Sequence, residues 1–441
     1  MSARVQPVVK PTKPAKLPAV VDTTLSNGLR VLAARKPGVP MVQARIRFDV
    51  ARKDLDSSVL DDIMTATLLT GTPTRNQLEI AEEMKRIGGE IWASADAESL
   101  FVSGIALARD LPRYLALLAD VLQNATHLAE EVDLAKAQTE QGITIMHSQP
   151  AARVQYALGA RVFPNHPYGR PMPTPDIVAP VTRAAVQRFH RNSVKPGGAL
   201  MVLVGDLPPA KMVAAVDKAL GGWTGTRKAF KTPKPAPVTP GPLRILNQPG
   251  AVQTNMRFGG IGIGRAHADF PALTLAMTIL GGGFTSRLNH NLREDKGFTY
   301  GASAGVGHNL AASSITIGAD VQTAVTAPAL VETLYELGRM VTTPVGDDEL
   351  TDAKRFLAGN MALSAETQAG LATYLMSLAI AGLDVSYLRE LPLAADKQSP
   401  DDIARVAATY LAPSSLAPVV VGDAEQIADA LGRIVAVEVV G

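Results

Sequence analysis

The sequence predicts an α+β fold built twice: two homologous halves, each a mostly antiparallel sheet covered by helices, joined by a Pro-rich linker. Three observations carry this. Short alternating apolar runs, the mark of strands, interleave with longer runs of helical period. A dense proline stretch, TPKPAPVTPGP at 232–242, divides the chain nearly in half, and such density blocks both helix and central strand. The two halves also share an order of segments. EEVDLAKAQTEQG (130–142) followed by ALMVLVGD (199–206) is answered by DELTDAKRFLAGN (348–360) followed by LAPVVVGD (416–423). Lys136 and Lys354 are 218 apart, and Gly205 and Gly422 are 217 apart.

The elements follow in order. LRVLAAR (29–35) and VQARIRFDV (42–50) alternate as strands. VLDDIMTATLL (59–69) places Val59, Leu60, Ile63, Met64 and Leu68 at helical spacing. LFVSGIAL (100–107) reads as a strand and LPRYLALLADVLQN (111–124) as a helix. Upstream of the matched anchors, IGGEIWASAD (87–96) answers GFTYGASAGV (297–306). The division that results is an extended Pro/Lys tail over 1–21, a first half over 22–225, a linker over 226–243 and a second half over 244–441.

Composition narrows the function classes. Of 441 residues, 46% are hydrophobic and 19% charged, which gives ample core. The net charge of +2 argues for no nucleic-acid partner. No apolar run is long enough for a membrane span. The absence of cysteine excludes disulfides, thiolate catalysis and cysteine-type zinc sites. In the tail, Pro7, Pro11, Pro14 and Pro18 alternate with Lys10, Lys13 and Lys16, so it lacks a signal-peptide core. It fits the start of a mature exported chain, which places the periplasm ahead of the cytoplasm.

One segment carries chemistry. In SRLNHNLREDKGFTYGASAGV (286–306), Arg293 and Tyr300 flank a turn at Asp295-Lys296-Gly297. Helix, glycine turn and strand can bring a guanidinium and a phenol to one pocket edge, a pair suited to polarising a peptide carbonyl. Gly281-Gly282-Gly283 opens the segment and permits close backbone approach. No Lys-Ser/Thr follows, so it is not a P-loop, and Gly259 to Gly264 lies in an apolar strand-like run without a dinucleotide context. The first histidine is His127, and His127, His147, His166 and His190 form no pair one helical turn apart. His166 lies in a turn and reads as structural. Ser57-Ser58 lacks a nearby base candidate, so a self-contained hydrolase is hard to build.

Taken together, GGGFTSRLNHNLREDKGFTYGASAGV (281–306), FPNHPYG (163–169) and LSNGLRVLAARKPGVPMVQARI (25–46) resemble the pitrilysin-type (inverzincin) metallopeptidases, in their short, processing-peptidase-like branch. The resemblance covers roughly residues 24–430 and implies a clam-shell arrangement. Active members carry H-x-x-E-H just ahead of a Gly-Thr, two histidines for zinc and a glutamate as base. Here Gly71-Thr72 is present, but Asp62, Thr65 and Ala66 stand at the motif positions, and the distal ligand position falls near Glu140. The chain therefore resembles the non-catalytic subunit of such an enzyme. No metal is expected in this chain, and zinc is expected in a homologous partner subunit. Arg293 and Tyr300 align with the family's Arg/Tyr pair and would stabilise the transition state in trans. Gly281, Gly282 and Gly283 would form a substrate-facing loop. A structural assembly subunit and a peptide-binding homodimer of the same fold remain the alternatives.

Overall fold

The computed structural model describes residues 16–50, 56–227 and 231–440. The first half runs β1 (Val20–Thr24), β2 (Arg30–Arg35), β3 (Met41–Asp49), α1 (Asp56–Ala66), a ribbon of β4 (Gly71–Thr72) and β5 (Arg75–Asn76), α2 (Gln77–Arg86), β6 (Glu90–Ala95), β7 (Ser99–Leu107), α3 (Leu111–Asn124), α4 (Ala129–Ser148), α5 (Pro150–Val162), α6 (Arg183–Ser193), β8 (Leu200–Gly205) and α7 (Pro209–Leu220). The second half runs β9 (Leu243–Asn247), β10 (Gln253–Gly262), α8 (Phe270–Met277), β11 (Thr299–His308), β12 (Ser313–Gln322), α9 (Thr326–Thr342), α10 (Asp347–Glu366), α11 (Gln368–Ile380), α12 (Tyr387–Asp396), α13 (Pro400–Tyr410), β13 (Ala417–Gly422), α14 (Ala424–Gly432) and β14 (Val437–Val440). The expected tail lies outside the described residues up to position 15, and β1 begins at Val20, inside its predicted bound. Of the linker, 228–230 lie outside the described residues and 231–241 carry no helix or strand.

The repeat appears in the strand order. One sheet is ordered β1-β2-β8-β3-β7-β6 and the other β11-β12-β10-β13-β9-β14. Read from the opposite end, β6-β7-β3-β8-β2 corresponds to β11-β12-β10-β13-β9. The single parallel pair of this five-strand unit is β2 with β8 in one sheet and β9 with β13 in the other. The outermost strands break the repeat. A tight turn with Gly28 at φ +85° joins β1 to β2, so they pair antiparallel, whereas β14 returns through α14 and lies parallel to β9. The equivalent lysines do equivalent work. Lys136 Nζ donates to the carbonyls of Ala179 (3.0 Å) and Val181 (2.9 Å), and Lys354 Nζ donates to that of Asp396 (2.8 Å).

The halves interlock by exchanging helices. Val154, Leu158 and Val162 of α5 pack on Ala417, Val419 and Val421 of β13, in the second half. Reciprocally, Leu371, Leu375 and Met376 of α11 pack on Val202 and Val204 of β8 and on Leu32 and Ala34 of β2. This explains Gly259 in β10. A Cβ at Gly259 would stand 2.7 Å from Val162 Cγ2 and 2.8 Å from Leu158 Cδ1, so α5 can seat there only because the side chain is missing.

A polar clasp closes the same seam and gives FPNHPYG its place. The buried Glu98 carboxylate accepts from Tyr168 Oη, from Thr232 Oγ1 (3.2 Å) and from the Leu310 N–H (2.8 Å). Tyr168 Oη in turn accepts from the Ala311 N–H (2.9 Å), and His166 Nε2 donates to the Pro233 carbonyl (2.8 Å). One carboxylate thus joins the β6–β7 turn, the 163–169 loop, the linker and the tip of the β11–β12 hairpin. His166 has the structural role its turn predicted.

Candidate functional site

The first half carries the three expected motif positions on α1. On α1, Asp62 and Ala66 are exposed and Thr65 is half-buried. Thr65 Oγ1 turns back to donate to the Asp62 carbonyl (3.0 Å), and Ala66 has no donor atom at all. The half-buried Glu140 lies on α4, which packs against α1. One carboxylate, one engaged hydroxyl and a methyl make a donor set that does not fit a tetrahedral zinc. Among the described residues, no three His, Cys, Asp or Glu side chains are grouped to hold a metal ion. Asp62 lines a cleft of about 650 Å³ with Asp96, Tyr156 and Arg170. Burial first, then the Asp62 charge, raises the Tyr156 hydroxyl above its ordinary pKa.

Behind α1 lies a pair that sequence spacing did not reveal. His127 and His190 are both buried, with Nε2 of the first 3.1 Å from Nδ1 of the second. The Leu122 carbonyl can only accept, so it takes the proton on His190 Nε2 (3.0 Å). With both rings neutral, His190 Nδ1 then accepts from His127 Nε2, and His127 Nδ1 accepts from Thr67 Oγ1 (2.8 Å). Burial, more than neighbouring charge, pushes His127 down to about 3 and His190 down to about 4. Both folded values lie below the unfolded value of 6.5, so their contribution to stability is full above pH 6.5 and is lost as pH falls from there through about 4 and then about 3. The loss is expected to be on the order of a few kcal/mol. Urea unfolding at pH 7 and pH 4.5 checks it: a His127→Gln/His190→Gln variant should lose less stability between the two than the parent, and equal losses would refute the assignment.

The second half holds the Arg/Tyr segment in a dedicated frame. One π-helical turn, Thr278–Gly282, precedes it and a second, Asn289–Asp295, carries Arg293, and such turns recur at functional sites. Gly297 at φ +65° makes the turn into β11. There the register with β12 shifts between Thr299 and Ala302. Thr299 Oγ1 brackets this bulge, donating to the Asp320 carbonyl (2.7 Å) and accepting from the Gly301 N–H (3.1 Å). The bulge throws Tyr300 out of the sheet, 94% exposed. Arg293 is half-buried, its guanidinium 4.4 Å from the Phe284 ring centroid, with Nε 3.3 Å from Glu294 Oε1.

Three residues of the same segment, missed by the sequence reading, pin that frame. Asn289 Oδ1 accepts from the Ala302 N–H (2.9 Å) while its Nδ2 donates to the Ala302 carbonyl (2.8 Å), so one side chain fastens the π turn to the bulge. Arg287 makes a bidentate pair with Glu349 of α10 (2.8 and 2.6 Å). Asn291 Nδ2 donates to Glu332 and to the buried Glu336, both at 2.9 Å. The available signal was two asparagines inside a helical run, where they are poor formers and need another reason to be present.

Gly281 of the triple glycine serves packing. None of the three has positive φ. A Cβ at the buried Gly281 would stand 2.6 Å from Ala304 N, so β11 approaches the π turn only over a glycine, as close backbone approach requires. At Gly283 a Cβ would stand 3.3 Å from the Phe356 ring.

Two α+β lobes that share one strand order and exchange helices define the architecture. Residues 63–176 match the insulinase family, peptidase family M16, and residues 180–357 match the peptidase M16 inactive domain. An uncharacterized zinc protease of Mycobacterium tuberculosis is 30% identical over 295 residues, 66% of this chain and 67% of the relative. Another, of Bacillus subtilis, is 24% identical over 351 residues, 78% of this chain and 84% of the relative. The chain belongs to the M16 peptidase family. Its fold is shared with a crystal structure of a peptidase M16 inactive domain from Pseudomonas fluorescens (TM-score 0.83, 23% identity, 92% of this chain and 98% of that one). It is shared equally with a protease from Helicobacter pylori (TM-score 0.83, 18% identity, 92% and 100%). No helix among the described residues is long and apolar enough to cross a membrane.

Proposed function

We propose that this chain is the non-catalytic subunit of a heteromeric zinc metallopeptidase, and that it supplies Arg293 and Tyr300 to a composite site on a homologous, zinc-bearing partner. The observation that carries this reading is the bulge at Tyr300. A bulge, a bracketing threonine and Asn289 hold out a phenol that is 94% exposed, and the Arg293 guanidinium seven residues earlier is held by Phe284 and an exposed ion pair. Exposed pairs of that kind are weak, so Arg293 is available to a ligand. In the complex the Tyr300 hydroxyl donates to the oxyanion that forms on the attacked carbonyl, and Arg293 adds positive charge beside it. The peptide lies extended, added to an open sheet edge such as β11 or β6, where main-chain hydrogen bonds give affinity with little sequence demand. The 281–283 turn borders that path.

The zinc protease names of the relatives and the donor-poor α1 helix both support a metal held by the partner. Elemental analysis and peptidase assay of the pure chain test this: less than one zinc per chain and no hydrolysis of an unstructured peptide are expected. Stoichiometric zinc with chelator-sensitive hydrolysis by the pure chain would overturn it.

A further inference from the structure

The internal repeat reveals a missing counter-charge. Arg45 of β3 and Arg257 of β10 occupy equivalent places. Arg257 pairs with Val419 of β13 on one side and Gly318 of β12 on the other. Arg45 pairs with Val202 of β8 and Ser103 of β7. Val419 and Val202 each stand three positions ahead of the matched glycine, Gly422 or Gly205. In the second half Arg257 Nη1 is paired with Asp320 Oδ1 (2.7 Å), two positions beyond Gly318. Two positions beyond Ser103 stands Ile105. Arg45 therefore lacks the carboxylate that its counterpart has. Its Nη2 donates to the Ala369 carbonyl at the start of α11 (3.2 Å), its Nε is buried without a partner, and it has no ion pair among the described residues. Burial, with no carboxylate to oppose it, lowers its pKa. A guanidinium held in this way is costly unless an anion completes it.

The ladder register shows what surrounds it. Trp92 of β6 pairs with Ser103, and Ser103 pairs with Arg45. Side chains directly opposite one another share a sheet face at about 5 Å, so these three form one row. The face is the one turned away from the Val42, Ala44 and Ile46 core. On one side α11 bounds it, packed on β2 and β8. On the other side β6 is the open edge of the sheet, and Trp92 is 43% exposed there. From the edge inward the row offers an indole, a hydroxyl and, about 10 Å in, an unneutralised guanidinium. An apolar platform outside and donors inside match an acid on the end of an organic chain.

We infer that the row Trp92, Ser103 and Arg45 binds a carboxylate of a peptide that enters over the β6 edge. Arg45 and Ser103 donate to the carboxylate oxygens, and Trp92 packs on the residue that carries them. A C-terminus and an acidic side chain present the same two oxygens, so either can supply the group. The inference rests on the peptide-binding part of the reading above and needs no zinc-bearing partner. The site takes the place that Asp320 fills in the second half.

Calorimetric titration of the chain with three N-acetylated, Gly/Ser-rich peptides tests this. One ends in Phe with a free carboxylate, one is its C-terminal amide, and one is the amide with a single internal Glu. A carboxylate-bearing peptide should bind about 10-fold tighter than the plain amide, and which of the two gains identifies the source of the group. Arg45→Gln should remove the advantage and leave the plain amide unaffected. Ile105→Asp, which copies Asp320, should remove it as well by pairing with Arg45 from within the sheet. That second variant keeps the Arg45 side chain against α11, so a loosened helix cannot account for its effect. Thermal melts of both variants that match the parent exclude misfolding. Equal binding of all three peptides by the parent would overturn the inference, as would an advantage that persists in both variants. Hydrolysis of the same peptides with a zinc-bearing homologue separates the two readings. If only the composite site is wrong, Tyr300→Phe leaves the rate unchanged while the carboxylate advantage still depends on Arg45. If only the carboxylate site is wrong, Tyr300→Phe slows hydrolysis and neither Arg45→Gln nor Ile105→Asp discriminates among the peptides.

Discussion

Tyr300→Phe is expected to lower kcat of the reconstituted peptidase about 100-fold, with little change in KM. The substitution removes one hydroxyl from a side chain that is almost wholly exposed and makes no hydrogen bond among the described residues. It therefore leaves stability untouched, and a melt should show no shift. What it removes is a donor to charge that exists only in the transition state, and one such donor is worth on the order of 3 kcal/mol. The signature is a loss in kcat and kcat/KM together. Arg293→Lys keeps the charge but loses the planar guanidinium stacked over Phe284, and should cost about 10-fold. Steady-state kinetics of the complex measures both. Parent-like kcat for Tyr300→Phe would mean that the phenol takes no part.

The second large effect is on the fold. Leu375→Ala is expected to destabilise the chain by about 2–5 kcal/mol. Leu375 belongs to a helix of the second half, yet it is buried among Val202 and Val204 of the first sheet. Truncation leaves a cavity between the halves rather than within one. Because α5 makes the reciprocal contact, the two sheets should unfold in one transition, and the loss should appear as a lower midpoint of that single transition. Denaturant unfolding followed by Trp92 and Trp223 fluorescence, both in the first half, checks this. If those tryptophans report an unshifted midpoint, α11 does not support the first sheet.

The difference between what the sequence disclosed and what it concealed follows from contact range. The repeat was legible because each half encodes its own strand order, and the matched Lys136 and Lys354 do the same local work in both. The segment from 286 to 306 was legible because helix, glycine turn and strand lie within a few residues of one another. Asp62, Thr65 and Ala66, five positions on one helix, were equally local. Helix exchange left no such trace, because an apolar face on α5 looks the same whichever sheet it covers. Its one sign was Gly259 inside a strand, a glycine whose purpose lies in Val162 and Leu158. The Glu98 clasp and the His127–His190 pair join residues 63 or more positions apart, and no spacing rule reaches them. At 281–283 the sequence correctly asked for close approach, but the approaching backbone is β11 and the backbone there needs no positive φ.

The central claim is that this chain completes a site whose metal belongs to another chain. Titrating it into a fixed amount of a homologue with an intact H-x-x-E-H motif, while following hydrolysis of an unstructured peptide, tests that claim most directly. Activity should be absent from this chain alone, rise with its addition and level off at equimolar amounts. With Tyr300→Phe the titration should level off at the same ratio but at about one hundredth of the rate. A homologue already fully active alone, whose rate does not change as this chain is added, would contradict the account.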